Sequence, residues 1–172
     1  MPLITLVLGG ARSGKSAYAE RLVNTDEAGL YLATAEIRDD EMAERVRLHR
    51  GRRDRTWTTV EEPLNLAQAL KEHSSPRRPV LVECLTIWLS NLMEAQRNIG
   101  SETGVLVETL SLLQGPVVFV SNEVGQGIIP DNRLARDFVD ASGRLNQSIA
   151  MIADRVIFIN AGLPTVLKEV RA

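Results

Sequence analysis

Short apolar runs alternate with amphipathic segments along the whole chain. The strongest runs are Leu3–Leu8, "LYLATA" from Leu30, "PVLVEC" from Pro79, "PVVFVSNEVG" from Pro116 and "RVIFINAG". Runs of this length, rich in β-branched residues, are typical of buried strands. A weaker extended segment is predicted at "TWTTV". We expect these segments to pair in one sheet, with "RVIFINAG" as its final strand.

The segments between the apolar runs have helical spacing. Helices are predicted at "SAYAERLV", at "PLNLAQALKEH" with its proline near the first turn, at "LTIWLSNLMEAQ" and at "ETGVLVETLSLLQ". A further helix from about Asp39 to Arg53 begins with acids and ends with bases, which suits the helix dipole. The longest, "DNRLARDFVDASGRLNQSIAMIAD", is interrupted by Gly143 at a cost of about 1 kcal/mol relative to alanine. Its predicted apolar face consists of Leu134, Phe138, Leu145, Ile149 and Ile152.

Alternating strands and helices indicate an α/β fold, with a mostly parallel sheet covered by helices on both faces. The 172 residues fit one domain, 1–172, with a substantial core. Parallel sheets bind ligands at the carboxyl ends of their strands. Those ends are predicted at "GGARSGKS", "ATAE", "VEEP", "ECLT", "SNEVG" and "NAG". The "SNEVG" segment either lines a ligand cleft or forms a tight turn capped by Asn122.

Composition narrows the class of protein. With 20 basic and 22 acidic residues and 4% aromatics, general nucleic-acid binding and base stacking are not expected. The single cysteine, Cys84, excludes a disulfide framework. No apolar run approaches the roughly 20 residues of a membrane span. The apolar start lacks a basic segment and runs into a glycine-rich motif, so we do not expect it to be a signal peptide. We expect a cytoplasmic enzyme or binding protein.

The glycine-rich motif "GGARSGKS" matches G-x-x-x-x-G-K-[ST] between a predicted strand and a predicted helix. The backbone N–H groups of such a loop surround phosphate oxygens, and the following helix adds its positive end. Lys15 is expected to reach the β- and γ-phosphates and Ser16 to ligate Mg²⁺. The sequence therefore predicts a nucleoside triphosphate as ligand. The expected contacts in the loop are Gly9, Gly10, Ala11, Arg12, Ser13, Gly14, Lys15 and Ser16.

The metal shell of a P-loop needs a second acid at the end of a neighbouring strand, and Glu83 holds such a position in "VLVECL". Glu83 would face Mg²⁺ directly, act through water, or hydrogen-bond a base; a strand-end carboxylate turned to solvent is the alternative. Cys84 is expected to be a small buried residue rather than a nucleophile, because no histidine lies near it in sequence.

One of the two histidines, His49, lies in the basic block "RVRLHRGRRDRTW". On the predicted helix it shares a face with Met42 and Val46, so a core histidine with a satisfied ring is one interpretation. The surrounding cations disfavour a protonated imidazole and lower its pKa, and a neutral ring nitrogen is a nucleophile. Guanidinium groups also match phosphate oxygens. The arginines concerned are Arg45, Arg50, Arg52 and Arg53. The other histidine, His73, is expected to be a solvated residue at the end of a helix.

The remaining motifs favour a small-molecule kinase among P-loop proteins. The N-K-x-D string that a regulatory GTPase uses for guanine is absent. Motor and recombinase ATPases usually need a longer chain. A single-function small-molecule or nucleotide kinase, in which His49 only packs, and a non-enzymatic nucleotide-binding module both remain open.

Taken in order, "GGARSGKS", "YLATAE", "DDEMAERVRLHRGRR", "WTTVEEP", "VLVECLTIWLSNLM", "VSNEVGQGIIPDNRLARDF" and "GRLNQSIAMIADRVIFINAGLP" resemble one family over nearly the whole chain. It is the family of bifunctional adenosylcobinamide kinase / adenosylcobinamide-phosphate guanylyltransferase. The glycine loop alone is generic, whereas the histidine block together with "SNEVG" is specific to that family.

The resemblance implies a RecA-like P-loop core, a homotrimer and a corrinoid substrate. It implies that ATP or GTP phosphorylates adenosylcobinamide, and that GTP then donates GMP through a GMP–histidine intermediate with His49 as the guanylylated residue. It also favours Glu62 over Glu61 as a nucleotide contact. Beyond the loop, the expected nucleotide-binding residues are Thr34, Ala35, Glu36, Arg50, Gly51, Arg52, Arg53, Glu62 and Glu83.

Overall fold

A seven-stranded sheet forms the centre of the protein, whose computed structural model describes residues 4–23, 29–36 and 57–170. The strand order is β3-β2-β4-β5-β1-β6-β7. Strands β1 to β6 pair in parallel, and β7 is antiparallel to β6. The strands are β1 Ile4–Gly9, β2 Leu30–Ala33, β3 Thr58–Glu61, β4 Val80–Glu83, β5 Val117–Asn122, β6 Arg155–Asn160 and β7 Leu163–Glu169.

Helices cover both faces of the sheet, which confirms the predicted α/β architecture. The described helices are α1 Lys15–Val23, α2 Leu66–His73, α3 Leu85–Glu94, α4 Ile99–Leu110 and α5 Arg133–Ile152. Apolar residues of α2, α3, α4 and α5 pack in one large cluster that includes Trp88 and Phe119. Helix α1 packs in a second, smaller cluster on the opposite face.

Alternation along the strands divides their side chains between these two clusters. In β5, Val117 and Phe119 point to the large cluster, whereas Val118 and Val120 point to the α1 face. In β4, Leu81 points to the α1 face. Because the period is two, Glu83 and Asn122 also lie on the α1 face, at the carboxyl ends of their strands.

Three predictions about the elements were wrong in detail. The helix predicted for "PLNLAQALKEH" begins at Leu66 as α2, so Pro63 lies just before the helix and is not part of it. Leu134 was expected on the apolar face of α5 but is 69% exposed, because that face meets the core only from Phe138 onward. β6 is not the final strand, since β7 follows it. Gly143 lies within a continuous α5. The helix predicted from Asp39 to Arg53 lies outside the described residues.

Strand β7 escaped prediction because it has no buried face, although Leu163, Val166 and Leu167 are apolar. Six of its seven residues are exposed, and Pro164 near its start is tolerated because an edge strand has an unpaired side. Among the described residues, no helix combines the length and apolar character that a membrane crossing requires.

Candidate nucleotide site

The predicted glycine loop connects the end of β1 to the start of α1. Two of its residues have left-handed backbone angles, Arg12 with φ 57° and Gly14 with φ 96°. A Cβ on Gly9 would lie 2.5 Å from the carbonyl oxygen of Ile159 and 2.6 Å from Oγ of Ser13. The chain therefore has glycine where the loop crosses its neighbours most closely.

The turn between β6 and β7 supports this loop from the side. Ala161 and Gly162 form a two-residue turn with φ of 50° and 80°, as a type I′ hairpin turn requires. The amide of Gly162 donates a 2.8 Å hydrogen bond to the carbonyl of Ser13. A Cβ on Gly14 would lie 3.3 Å from Cα of Gly162. The hairpin turn and the glycine loop are thus in direct contact.

Lys15 begins α1 and is buried, with 8% of its surface exposed. Its Nζ donates a hydrogen bond of 3.1 Å to the carbonyl of Gly10, which folds the side chain back over the loop. Burial lowers the pKa of the Lys15 ammonium from its ordinary value, and the nearby Glu83 carboxylate opposes that effect. A phosphate group at the loop would favour the charged form.

Ser16 and Glu83 lie together, as expected for a P-loop metal site. The Ser16 hydroxyl donates a 2.7 Å hydrogen bond to Oε1 of Glu83. A hydroxyl and a carboxylate supply the hard oxygen ligands that Mg²⁺ prefers, and phosphate oxygens and water complete such sites. In the described part of the chain no cluster of three or more His, Cys, Asp or Glu residues could hold a metal alone. The donor set therefore fits a metal that arrives with the nucleotide.

The segment 34–36 follows β2 at the same edge of the sheet. The Thr34 hydroxyl is fully buried; it donates to the carbonyl of Cys84 and accepts from the amide of Cys84, both at 2.8 Å. Asn91 donates to the Thr34 carbonyl at 2.8 Å. Thr34 therefore ties the end of β2 to the end of β4, while Ala35 is half-buried and Glu36 exposed.

Glu62 has a local structural role at the start of a helix. Its Oε1 accepts hydrogen bonds from the amides of Leu64 (2.9 Å) and Asn65 (2.7 Å) just before α2. Asn65 itself makes no side-chain cap. A carboxylate at this position satisfies amide groups at the helix start and complements the helix dipole.

Cys84 is buried, as predicted. Burial, followed by the neighbouring Glu83 carboxylate, raises the pKa of the Cys84 thiol to about 11. The residue is therefore a neutral thiol near neutral pH and a poor nucleophile. The peptide bond between Glu83 and Cys84 is cis.

The "SNEVG" segment at the end of β5 is held by a polar network. Ser121 donates to Oδ1 of the buried Asn146 on α5 at 2.7 Å, and Nδ2 of Asn146 donates to the carbonyl of Asn122 at 3.2 Å. The amide of Asn122 donates to the Thr86 hydroxyl at 2.7 Å. Oε1 of Glu123, not the Asn122 side chain, accepts from the amide of Gly125 within the turn.

Sequence reasoning missed Thr86 and Asn146. Polar residues among the apolar residues of a helix face could have identified Asn146. Ser142 and Asn146 are buried beside Leu145 and Ile149 on α5. Buried amides in such positions need hydrogen-bond partners, which the end of β5 supplies here.

The basic block is not part of the described structure. His49 and its neighbours Arg45, Arg50, Gly51, Arg52 and Arg53 lie outside the described residues, so their roles stay predictions. His73, the last residue of α2, is half-buried.

Together, the sheet, the glycine loop and the Ser16–Glu83 pair define a P-loop nucleotide-binding α/β protein. An ATPase of the type III secretion system of pathogenic bacteria has the same fold, with a TM-score of 0.58 and 11% identity over 95% of this chain and 56% of that chain. This identity supports the fold alone.

The chain belongs to the cobinamide kinase / cobinamide phosphate guanyltransferase family, whose family model matches residues 5–167. It is 47% identical to the bifunctional adenosylcobalamin biosynthesis protein CobP of Pseudomonas aeruginosa, over 95% of this chain and 96% of that protein. It is 38% identical to the bifunctional adenosylcobalamin biosynthesis protein CobU of Escherichia coli, over 96% of this chain and 100% of that protein.

Proposed function

We propose that this protein catalyses two successive reactions on one corrinoid. A nucleoside triphosphate first phosphorylates the hydroxyl of adenosylcobinamide. GTP then transfers GMP to the resulting phosphate, which gives adenosylcobinamide-GDP and pyrophosphate. Family membership over 5–167, with the paired Ser16 and Glu83 beside the glycine loop, is the observation that carries this proposal.

In the first reaction the protein positions the triphosphate and neutralises its charge. Backbone amides of the loop and the start of α1 hold phosphate oxygens, and the Lys15 ammonium exchanges the Gly10 carbonyl for them. Mg²⁺ held by Ser16 and Glu83 would offset charge on the phosphates. The acceptor oxygen forms a bond to the γ-phosphorus, the bond to the bridging oxygen breaks, and the hydroxyl proton leaves to solvent.

In the second reaction we assign the nucleophile to His49. Its neutral ring nitrogen attacks the α-phosphorus of GTP, and pyrophosphate leaves with the electrons of the broken P–O bond. A phosphate oxygen of adenosylcobinamide phosphate then displaces the histidine. The guanidinium groups of Arg50, Arg52 and Arg53 would stabilise charge on the phosphate in transfer.

Labelling with α-labelled GTP tests the histidine step. Wild type is expected to acquire label in an acid-labile, base-stable bond, whereas His49→Ala acquires none and retains much of the kinase reaction. His73→Ala, which removes the other histidine, serves as the matched control and should label normally. Label retained in His49→Ala would contradict the assignment, and an unlabelled wild type that still phosphorylates the corrinoid would indicate a single-function kinase. Lys15→Ala should impair both reactions.

We further propose that residues 1–172 form one catalytic domain, that three copies assemble as a homotrimer, and that the enzyme acts in the cytoplasm. Strand β1 lies between β5 and β6, so both halves of the chain build one sheet. The trimer is supported only by the family resemblance. Light scattering on the purified full chain, phosphorylation assays with ATP and GTP separately, and cell fractionation test these points.

A further inference from the structure

Asn122 ends β5 between the two strands that build the nucleotide site. Its Cα pairs with that of Gly9, the first residue of the glycine loop. On the other side of β5, Glu83 at the end of β4 pairs with Val120. Asn122 therefore lies two residues beyond the level of Glu83, towards the open edge where a ligand enters.

The side chain of Asn122 is on the same face as the site. Val118 and Val120, which precede it at intervals of two, pack on the α1 face. Glu83 is on that face as well, because its carboxylate meets Ser16 of α1. The carboxamide of Asn122 is thus beside the glycine loop and beyond the Ser16–Glu83 pair.

Two hydrogen bonds hold the main chain of Asn122 and a third holds the next residue, but no hydrogen bond from the described residues holds the side-chain oxygen of Asn122. Thr86 accepts from its amide, Asn146 donates to its carbonyl, and the next amide, of Glu123, donates to the Gly9 carbonyl at 3.1 Å. Oδ1 is buried, and within the described part of the chain no group donates to it. A buried acceptor without a donor is uncommon. Asn122 as a whole is half-buried, so a turn of its carboxamide would bring Oδ1 to a ligand that supplies a donor.

We propose that Oδ1 of Asn122 accepts a hydrogen bond from the hydroxyl of the corrinoid in the kinase reaction, which makes Asn122 a catalytic residue that orients the nucleophile. This inference rests on the proposed function. The loop and Lys15 hold the β- and γ-phosphates, with the Ser16–Glu83 pair on their inner side. An acceptor that attacks in line must approach the γ-phosphorus from beyond them, where Asn122 lies.

The role is orientation rather than proton removal, because a carboxamide oxygen is a weak base. The hydrogen bond directs an oxygen lone pair at the γ-phosphorus, and the hydroxyl proton leaves to solvent as the P–O bond forms. Attack of His49 on the α-phosphorus involves no acceptor hydroxyl. Covalent labelling by α-labelled GTP therefore serves as an internal reference that does not depend on Asn122.

Asn122→Ala in the full chain tests this proposal. With γ-labelled triphosphate and adenosylcobinamide, kcat for corrinoid phosphorylation is expected to fall about 100-fold, the usual effect of misplacing a reacting group. Nucleotide affinity, measured by calorimetry, should stay within about threefold of the wild-type value. The extent of labelling by α-labelled GTP should also stay within about threefold of wild type. Both changes are smaller than a tenfold change, which corresponds to about 1.4 kcal/mol. If Asn122→Ala fails to fold, Asn122→Ser gives the same test, since its hydroxyl is too short to reach.

Asn98→Ala is the matched control, because it makes the same chemical change at the start of α4, where Oδ1 accepts from the Ser101 amide. It should leave both reactions unchanged. Phosphorylation by Asn122→Ala at the wild-type rate would overturn the proposal, and so would equal losses in phosphorylation and labelling. Failure of wild type to phosphorylate the corrinoid would instead refute the proposed function.

Discussion

The amide nitrogen of Gly162 lies 2.8 Å from the carbonyl oxygen of Ser13 and donates a hydrogen bond to it. This bond joins the hairpin turn between β6 and β7 to the middle of the glycine loop. The hairpin also approaches Gly14 so closely that a Cβ there would lie 3.3 Å from Cα of Gly162. The exposed edge strand β7 thus belongs to a hairpin that fixes the phosphate-binding loop in place.

Gly14→Ala is expected to weaken nucleotide binding about tenfold. Alanine at φ 96° is strained, at a cost of about 1–2 kcal/mol, and its Cβ would push against the hairpin. Calorimetric titration with ATP measures the change. Gly104→Ala is the control, because a Cβ there meets no atom within 4 Å. Unaltered affinity in Gly14→Ala would show that the hairpin contact does not constrain the loop.

Glu83→Gln is expected to raise the Mg²⁺ concentration needed for half-maximal activity at least about tenfold, because it removes a charged oxygen from the proposed metal site while keeping the side-chain shape. Ser16→Ala should shift the requirement in the same direction, because it removes the hydroxyl 2.7 Å from that carboxylate. Rates measured against Mg²⁺ concentration give the result. Glu108→Gln, an exposed acid on α4, should leave the curve unchanged. An unshifted curve for Glu83→Gln would place the carboxylate outside the metal site.

Nucleotide affinity should decline at a lower alkaline pH than it would if Lys15 had the ordinary pKa of a lysine. Burial lowers the pKa of Lys15 below 10.5, and only the ammonium form attracts phosphate, so affinity falls as pH rises through the lowered value. In the nucleotide-free protein, the free energy of unfolding changes with pH in the opposite direction to the nucleotide affinity. Between the lowered pKa and 10.5 the unfolded chain binds more protons, so the free energy of unfolding rises with pH.

Titration with ATP across neutral and alkaline pH tests this prediction, because adenine does not lose a proton in that range. Lys15→Ala should bind weakly at every pH and lose the dependence. The neighbouring Cys84 thiol loses its proton only at higher pH, because its pKa is raised to about 11. A decline only at or above 10.5 would contradict the expected direction.

Gly143→Ala should stabilise the protein by about 0.5–1 kcal/mol without changing either reaction. Gly143 lies inside α5, its backbone angle is not left-handed, and an added Cβ meets no atom within 4 Å. Alanine therefore gains helix propensity with no steric cost. Chemical denaturation measures the gain. A loss of stability would mean that α5 needs the glycine for a reason other than space.

Features that depend on the local sequence, such as buried strands and the glycine loop, could be predicted. The apolar runs predicted β1 to β6, and the motif predicted that a strand-end Glu83 would lie near Ser16, as their hydrogen bond shows. The strand of Glu83 was expected to neighbour β1, but β5 lies between β4 and β1. Strand β7 could not be predicted in the same way, because it pairs with β6 while exposing both of its faces.

The remaining details depend on hydrogen bonds whose partners the sequence pattern does not specify. Glu62 was expected at the nucleotide, and its carboxylate accepts amides at the start of α2. Its contact with a nucleotide stays a prediction. Asn122 was considered as a turn cap, yet Glu123 has that role. In both cases the competing donors lie close in sequence, and only the folded geometry selects among them. The contact between Asn146 and Ser121 joins residues 25 positions apart, which no spacing rule reveals.

The hydrogen bond from Lys15 to the Gly10 carbonyl has a consequence for how a ligand enters. The ammonium is already bent over the loop, and the Ser16 hydroxyl already has Glu83 as a partner. When a triphosphate binds, its oxygen atoms therefore replace the protein oxygen atoms as hydrogen-bond partners, and the loop does not have to become ordered. Because little ordering is required, the entropic penalty of association is small, and the shape of the loop is preorganised by the protein itself.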